Sequence, residues 1–239
     1  MNIRKYIYGI TASVLMTTSL NAQVFNFDYD NGYYVKLYSG VFQIQDVGVS
    51  ESASIFGFGI SADYEWGFEN GWTVGTQLGY PIFNPNVPFV GNIRGEVDFS
   101  YSKAYYDDID GTATLTYSDG STVTITGNDT VNGKVEIVDF YNNFIYDVKD
   151  DGFVRPYAGI GIGFSYIEDQ IEDIGGIVLG VMEMRTHYGA QIIIGADLIN
   201  LGQNFSGGAR FVARRVNSSE TGVNDAEIIS GQVDLRYNF

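Results

Sequence analysis

Glu227-Ile-Ile-Ser-Gly-Gln-Val-Asp-Leu-Arg-Tyr-Asn-Phe239, the C-terminal stretch, decides the fold. Ile229, Gly231, Val233, Leu235, Tyr237 and Phe239 take every second position, and Ser230, Gln232, Asp234, Arg236 and Asn238 lie between them. A period of two marks a β-strand with one apolar face and one wet face.

The same alternation recurs upstream. Tyr33, Val35, Leu37 and Val41 oppose Tyr34, Lys36, Tyr38 and Gly40. From Phe56 to Phe68 the apolar set is Phe56, Phe58, Ile60, Ala62, Tyr64, Trp66 and Phe68, against Ser61, Asp63 and Glu65. Glu69-Asn70-Gly71 reads as a tight hairpin turn, Asn-Gly supplying the positive φ angles, and Trp72, Val74, Thr76, Leu78 and Tyr80 continue the pattern. Pro81, Pro85 and Pro88 break it. Strands follow over 93–104, 134–148 and 154–167, the last with Gly159, Gly161 and Gly163 on the face of Arg155 and Tyr157. Tyr188 to Leu198 and Ala209 to Ala213 complete the set. Tyr105 to Gly133 reads as the longest loop, carrying its own hairpin signal at Ser118-Asp119-Gly120; Glu168 to Arg185 and Ser218 to Ala226 read as further loops.

The 239 residues include 30 Gly, 18 Tyr, 16 Phe, 4 Pro and no Cys, a strand-rich composition without disulfides or thiolate metal sites. Met1 to Ala22 reads as a secretory signal: Arg4 and Lys5, an apolar core from Ile7 to Leu20, then a cleavage point after Ala22. That core is too short to cross ~30 Å of hydrocarbon. The domain organisation is therefore 1–22 signal and 23–239 barrel. Net charge is −16; without the signal, 11 basic residues face 29 acidic ones, −18, which excludes nucleic acid as a partner.

No other stretch approaches 18 consecutive apolar residues, so a chain crossing a bilayer would do so as a closed barrel, where every backbone group finds a partner. The pattern predicts an all-β, closed, antiparallel up-and-down transmembrane barrel. Nine strong segments must become an even number. Eight results if one of the two segments flanking Asn70-Gly71 belongs to a hairpin rising above the membrane; ten results if part of Thr112 to Thr126 enters the wall.

Gly71-Trp-Thr-Val-Gly-Thr-Gln-Leu-Gly-Tyr80, Arg94-Gly-Glu-Val-Asp-Phe-Ser-Tyr101 and Val154-Arg-Pro-Tyr-Ala-Gly-Ile-Gly-Ile-Gly163 resemble the opacity-like, outer-membrane-protein-A-like eight-stranded barrels. The resemblance covers about residues 30–239. It implies a bacterial outer-membrane surface antigen with a structural or adhesive role and no cofactor. The last strand likewise resembles the signal by which such barrels are recognised by their assembly machinery, here Leu235, Tyr237 and Phe239.

The wet faces of the strands gather Lys36, Arg94, Arg155, Arg210, Arg214 and Arg236 with Asp63, Glu65, Glu96, Asp98, Asp197 and Asp234. In a barrel just wide enough for side chains to fill, these predict a lumen plugged by paired charges; a small charge-selective channel is the alternative. A lipid-modifying enzyme would need His187, the single histidine, near Ser165 or Ser230, and no spacing ties them together. Asp107-Asp108-Ile109-Asp110-Gly111 and Asp147 to Gly152 do not complete a calcium loop and read as solvated turns. The expected partners are outer-membrane lipid and a host or matrix ligand met by Tyr105 to Gly133. A soluble sandwich would instead bury Phe58, Tyr64 and Trp66 between two sheets.

Overall fold

The computed structural model describes residues 32–55, 58–83, 91–148, 153–198, 204–217 and 225–239. The expected signal segment 1–22, Pro85 and Pro88 lie outside them.

Ten strands run in chain order: β1 (Tyr34–Ile44), β2 (Val47–Ile55), β3 (Phe58–Phe68), β4 (Gly71–Phe83), β5 (Asn92–Thr116), β6 (Thr122–Asp147), β7 (Val154–Ile174), β8 (Ile177–Leu198), β9 (Phe205–Val216) and β10 (Ala226–Asn238). All pairings are antiparallel, and β1, β4, β5, β6, β7, β8, β9 and β10 hydrogen-bond in a closed ring of eight. The terminal strand closes it, with Leu37 opposite Leu235 and Tyr34 opposite Asn238.

The remaining two strands resolve the count. β3 pairs with Tyr106–Thr116 of β5, directly above the stretch of β5 that holds β4. β2 continues β1 in the same way and pairs with β3. Residues 34–55 and 58–83 are thus the two arms of one tall hairpin. Asn70-Gly71 is consequently not a hairpin turn: β3 and β4 run in the same direction beside β5, and the Glu69 amide still donates to the Tyr105 carbonyl (2.9 Å). Gly71 is needed for space, since a Cβ there would strike the Phe42 ring at 2.3 Å. The strand β2 escaped the pattern because Ser50, Glu51, Ser52 and Ser54 give it no apolar alternation.

Two expected loops are strands. Tyr105 to Gly133 is a paired ribbon, Thr112 opposite Thr126, that turns over at Ser118-Asp119-Gly120 with Gly120 at φ 83°. Glu168 to Arg185 is the upper half of the β7–β8 hairpin. Its two-residue turn is Gly175-Gly176, at φ 58° and 80°, the geometry that matches the twist of paired strands. Pro81 is tolerated inside β4 because the register slips between Pro81 and Phe83.

The lower ring is apolar outside. Val41, Ile160, Ile162, Ile192, Ile194, Phe211, Val233 and Leu235 are each at least half exposed. Tyr33, Tyr80, Tyr146, Phe153, Phe205 and Tyr237 stand around the end where β1 and β10 begin and finish. Outward aliphatics bordered by aromatics are the surface that hydrocarbon, not water, would cover. Above the ring the faces exchange. Asp63 and Glu65 are exposed, whereas Trp66, Phe68 and Tyr106 pack inward.

Candidate functional site

Three layers fill the interior along the barrel axis. The lowest is ionic. β1 supplies Lys36, β5 Arg94 and Glu96, β6 Asp147, β8 Asp197, and β10 Asp234 and Arg236; period-two alternation turns all of them inward. Asp197 is the hub. Lys36 Nζ reaches its Oδ1 at 2.9 Å, and Arg94 and Arg236 reach Oδ2 at 2.9 and 3.3 Å. Arg94 also meets Asp147 (3.3 Å) and Glu96 (3.6 Å), and Lys36 lies 3.8 Å from Asp234.

The middle layer is a second network. Arg210 pairs with Asp98 (3.2 Å), which also accepts hydrogen bonds from Tyr38 (2.6 Å) and Gln77 (2.7 Å). Arg214 pairs with Asp139, whose other donors are Ser165 (2.6 Å) and Ser100 (2.9 Å). Gln191 joins Arg214 to Asn143. Tyrosines interleave both layers: Arg236 stacks 3.6 Å over the Tyr34 ring, Arg210 4.3 Å over Tyr38, and Arg214 4.4 Å over Tyr141. Each ring fits because a glycine on the adjoining strand leaves room. A Cβ at Gly79 would lie 1.9 Å from the Tyr34 ring, and one at Gly75 would lie 2.4 Å from Tyr38.

Lys36, Arg94, Glu96, Asp197, Asp234 and Arg236 therefore meet in the lower lumen layer and Asp98 and Arg210 in the one above it, with Arg155 half-buried. Asp63 and Glu65 do not belong to it. They sit on β3 above the ring, exposed, because the wall changes which face is wet at that height. Sequence reading missed Asp139, Asp147, Asn143, Gln191 and the tyrosines. Asp147, taken with the turn that follows it, is buried against Arg94. The signal that could have found the tyrosines is the matched spacing of Tyr34, Tyr38 and Phe42 against Gly79, Gly75 and Gly71.

The two acidic stretches read as solvated turns are placed differently where they are described; residues 149–152 lie outside the described residues. Asp108 and Asp110 both accept from Asn128, on paired strands rather than a loop. Among the described residues, no group of three or more acids and histidines is arranged to hold a metal.

The upper layer is apolar. Phe42, Ile44, Ala104, Ile137, Val216 and Ile228 form a buried collar over the ionic network. Above it lies a half-open cavity of about 290 Å³. One wall is aromatic: Tyr64, Trp66, Tyr106 and Phe68 contact one another in that order, with centroids 5.9, 5.4 and 4.9 Å apart. The opposite wall, from β7 and β8, carries Asp169, Glu183, Arg185 and His187. Tyr106 donates to Asp169 (3.1 Å) and Tyr64 donates to Glu51 (3.2 Å). Burial holds the Asp169 carboxyl above the ordinary carboxylate range. Its partial burial and bond to Asp169 also raise the Tyr106 hydroxyl.

His187 and Ser165 are register partners across β7 and β8. Their polar atoms are committed elsewhere: His187 Nδ1 lies 2.9 Å from the Asn217 carbonyl, and Ser165 donates to Asp139. Ser230, buried on β10, accepts from Gln232.

No protein-family model and no curated protein matches the chain. Solved structures do. Neisserial surface protein A is 16% identical, with 87% of this chain and 97% of that one aligned at a TM-score of 0.50. The outer-membrane protease OmpT of Escherichia coli is 9% identical over 90% and 99% (TM-score 0.48), and OprG of Pseudomonas aeruginosa is 10% identical over 87% and 96% (0.43). The likeness to the Neisserial protein bears on the barrel fold alone.

Proposed function

We propose that this chain is an integral outer-membrane barrel whose lumen is a structural plug, and which carries its working surface on the strands above the membrane. The observation that supports this most is the burial of the lumen. Lys36, Gln77, Glu96, Asp98, Asp139, Asn143 and Asp197 are all 4% exposed or less, so no aqueous path runs along them. A conducting pore needs the opposite, charged side chains facing an aqueous path. The outward aliphatic band and its aromatic border favour a lipid surround, and an alternating last strand ending in Leu235, Tyr237 and Phe239 suits recognition by the barrel-assembly machinery.

The protruding ribbon of β5 and β6 is the adhesive element in this reading. It is tall, acidic at Asp107, Asp110 and Asp129, and solvent-exposed from Thr122 to Thr130. The partner is a host or matrix surface. No catalytic role is assigned: His187 Nδ1 lies against the Asn217 carbonyl, Ser165 donates to Asp139 in the lumen, and Ser230 accepts from Gln232, so no serine is hydrogen-bonded to the imidazole among the described residues.

The test has two parts. Full-length protein in lipid should migrate differently before and after boiling and should show no steady conductance in planar bilayers. Replacing residues 112–126 with Asn-Gly should preserve the migration shift and reduce adhesion to host cells or matrix. Steady openings in bilayers would overturn the plug, and undiminished adhesion would overturn the role given to the ribbon.

A further inference from the structure

Beyond adhesion, we propose that the cavity above the collar is a binding site for a small organic cation, an apolar body of single-ring size carrying one protonated amine.

Shape and apolarity come first. The floor is aliphatic, built from Ile44, Val135, Ile137 and Val216, and it seals the cavity from the ionic lumen below. One wall is the aromatic series Tyr64, Trp66, Phe68 and Tyr106. At about 290 Å³ the space stands at the small end of ligand sites.

Access is lateral. Above Gly189, β8 pairs only with β7 among the described residues, and β2 pairs only with β3. The shorter strands β9 and β10 end beneath this gap, at Val216 and Ala226.

Charge selects the class of ligand. Among the described lining residues, Glu51, Asp169 and Glu183 face one basic side chain, Arg185, a formal net of −2 with His187 counted neutral. Arg185 is already paired with Glu183. Asp169 and Glu51 are each held by a tyrosine hydroxyl, which orients them without neutralising them. A cation entering here meets aromatic faces on one side and carboxylates on the other, the combination that recognises alkylammonium groups. An anion of the same size would be repelled by the site and by a chain of net charge −16.

The experiment uses the full-length protein in lipid nanodiscs. The chain has two tryptophans, and Trp72 faces outward from the ring, so Trp72→Phe leaves Trp66 as the sole reporter in the cavity wall. Three probes of one size are titrated: 2-phenylethylamine, its neutral isostere 2-phenylethanol, and phenylacetate. The amine is expected to change Trp66 emission saturably and to bind at least about tenfold more tightly than the alcohol, with phenylacetate weakest. Asp169→Asn combined with Glu183→Gln keeps both shapes and should bring amine and alcohol within about twofold. Equal affinity of amine and alcohol in the parent protein overturns the proposal, as does tighter binding of phenylacetate or no saturable response to the amine. These parent-protein comparisons decide the matter even if the double variant fails to show its boiling-dependent migration.

Discussion

The lower ring and the upper sheet are made by the same strands with opposite polarity. On β7, Ile160 and Ile162 point out of the ring while Tyr157 and Ser165 are buried inside it. Farther along the same strand, Ile167 and Ile171 point into the cavity. On the first hairpin, Lys36 is wholly buried within the ring, yet Asp63 and Glu65 lie outside the sheet above it. The switch falls at the collar of Phe42, Ile44, Ala104 and Ile137. Alternation along a strand says that two faces differ; the surrounding solvent decides which one points inward. In the proposed setting, lipid around the lower ring makes the polar interior the protected face, while water around the upper sheet makes the apolar interior the protected one.

The largest expected effect comes from the polar interior of the ring. Asp197→Ala leaves Lys36, Arg94 and Arg236 without their shared carboxylate and should cost about 3–5 kcal/mol. Urea titration of folding into lipid vesicles measures it. Next comes one substitution made at two heights. Ile160→Arg, on the outer face of the ring, should cost about 2–4 kcal/mol in lipid. Ile125→Arg, equally exposed but on the upper ribbon, should change stability by no more than about 0.5 kcal/mol. Equal costs would erase the contrast between the regions.

Gly79→Ala sharpens the account of the tyrosines. Its Cβ would displace the Tyr34 ring, and with it the hydrogen bond to Glu96, for a cost of about 1–3 kcal/mol in the same titration. The smallest effect is a pH dependence confined to the upper sheet. The folded pKa of Asp169 is raised above its unfolded value by burial, so its ionised form opposes folding. That penalty is fully present above the raised pKa, shrinks as pH falls below it and is gone below the unfolded value. Amide exchange of Val135 and Ile171, corrected for intrinsic rates, should therefore slow on mild acidification. Asp169→Asn should remove this gain, with Glu183, Arg185 and His187 still facing the site.

Much of the ring was legible because lipid-facing strands alternate strictly. Leu235 and Val233 outward, with Arg236 and Asp234 inward, follow from period two once a barrel is assumed. Nine segments and an even number leave eight or ten wall strands; the ring is one of eight because Phe58 to Phe68 belongs to a hairpin rising above it. The upper sheet was less legible. Phe58 to Phe68 alternates as cleanly as any strand of the ring, so the pattern alone assigns Asp63 and Glu65 to the lumen; nothing in it marks the height at which the wet face turns outward. Thr and Ser on both faces made 105–133 look like a loop, although cross-strand pairs such as Thr114 with Thr124 hold it as a ribbon. Asp139 and Asp147 escaped notice because β6 mixes Phe140, Asn142 and Phe144 on its outer face and blurs the alternation. The cavity depends on residues of nine strands, all but β4, meeting at one height, a register that no single segment encodes.

The reversal of polarity along the wall is tested most directly by cysteine labelling, for which the cysteine-free chain is already suited. Single cysteines at Val41, Ile160 and Val233 on the ring and at Val123 and Ile125 on the ribbon would be exposed to a membrane-impermeant maleimide, with the protein in lipid vesicles. The account predicts rapid labelling at 123 and 125 and protection at 41, 160 and 233 until the lipid is replaced by denaturant. Equal labelling at all five positions would contradict it and would favour a soluble β-sandwich.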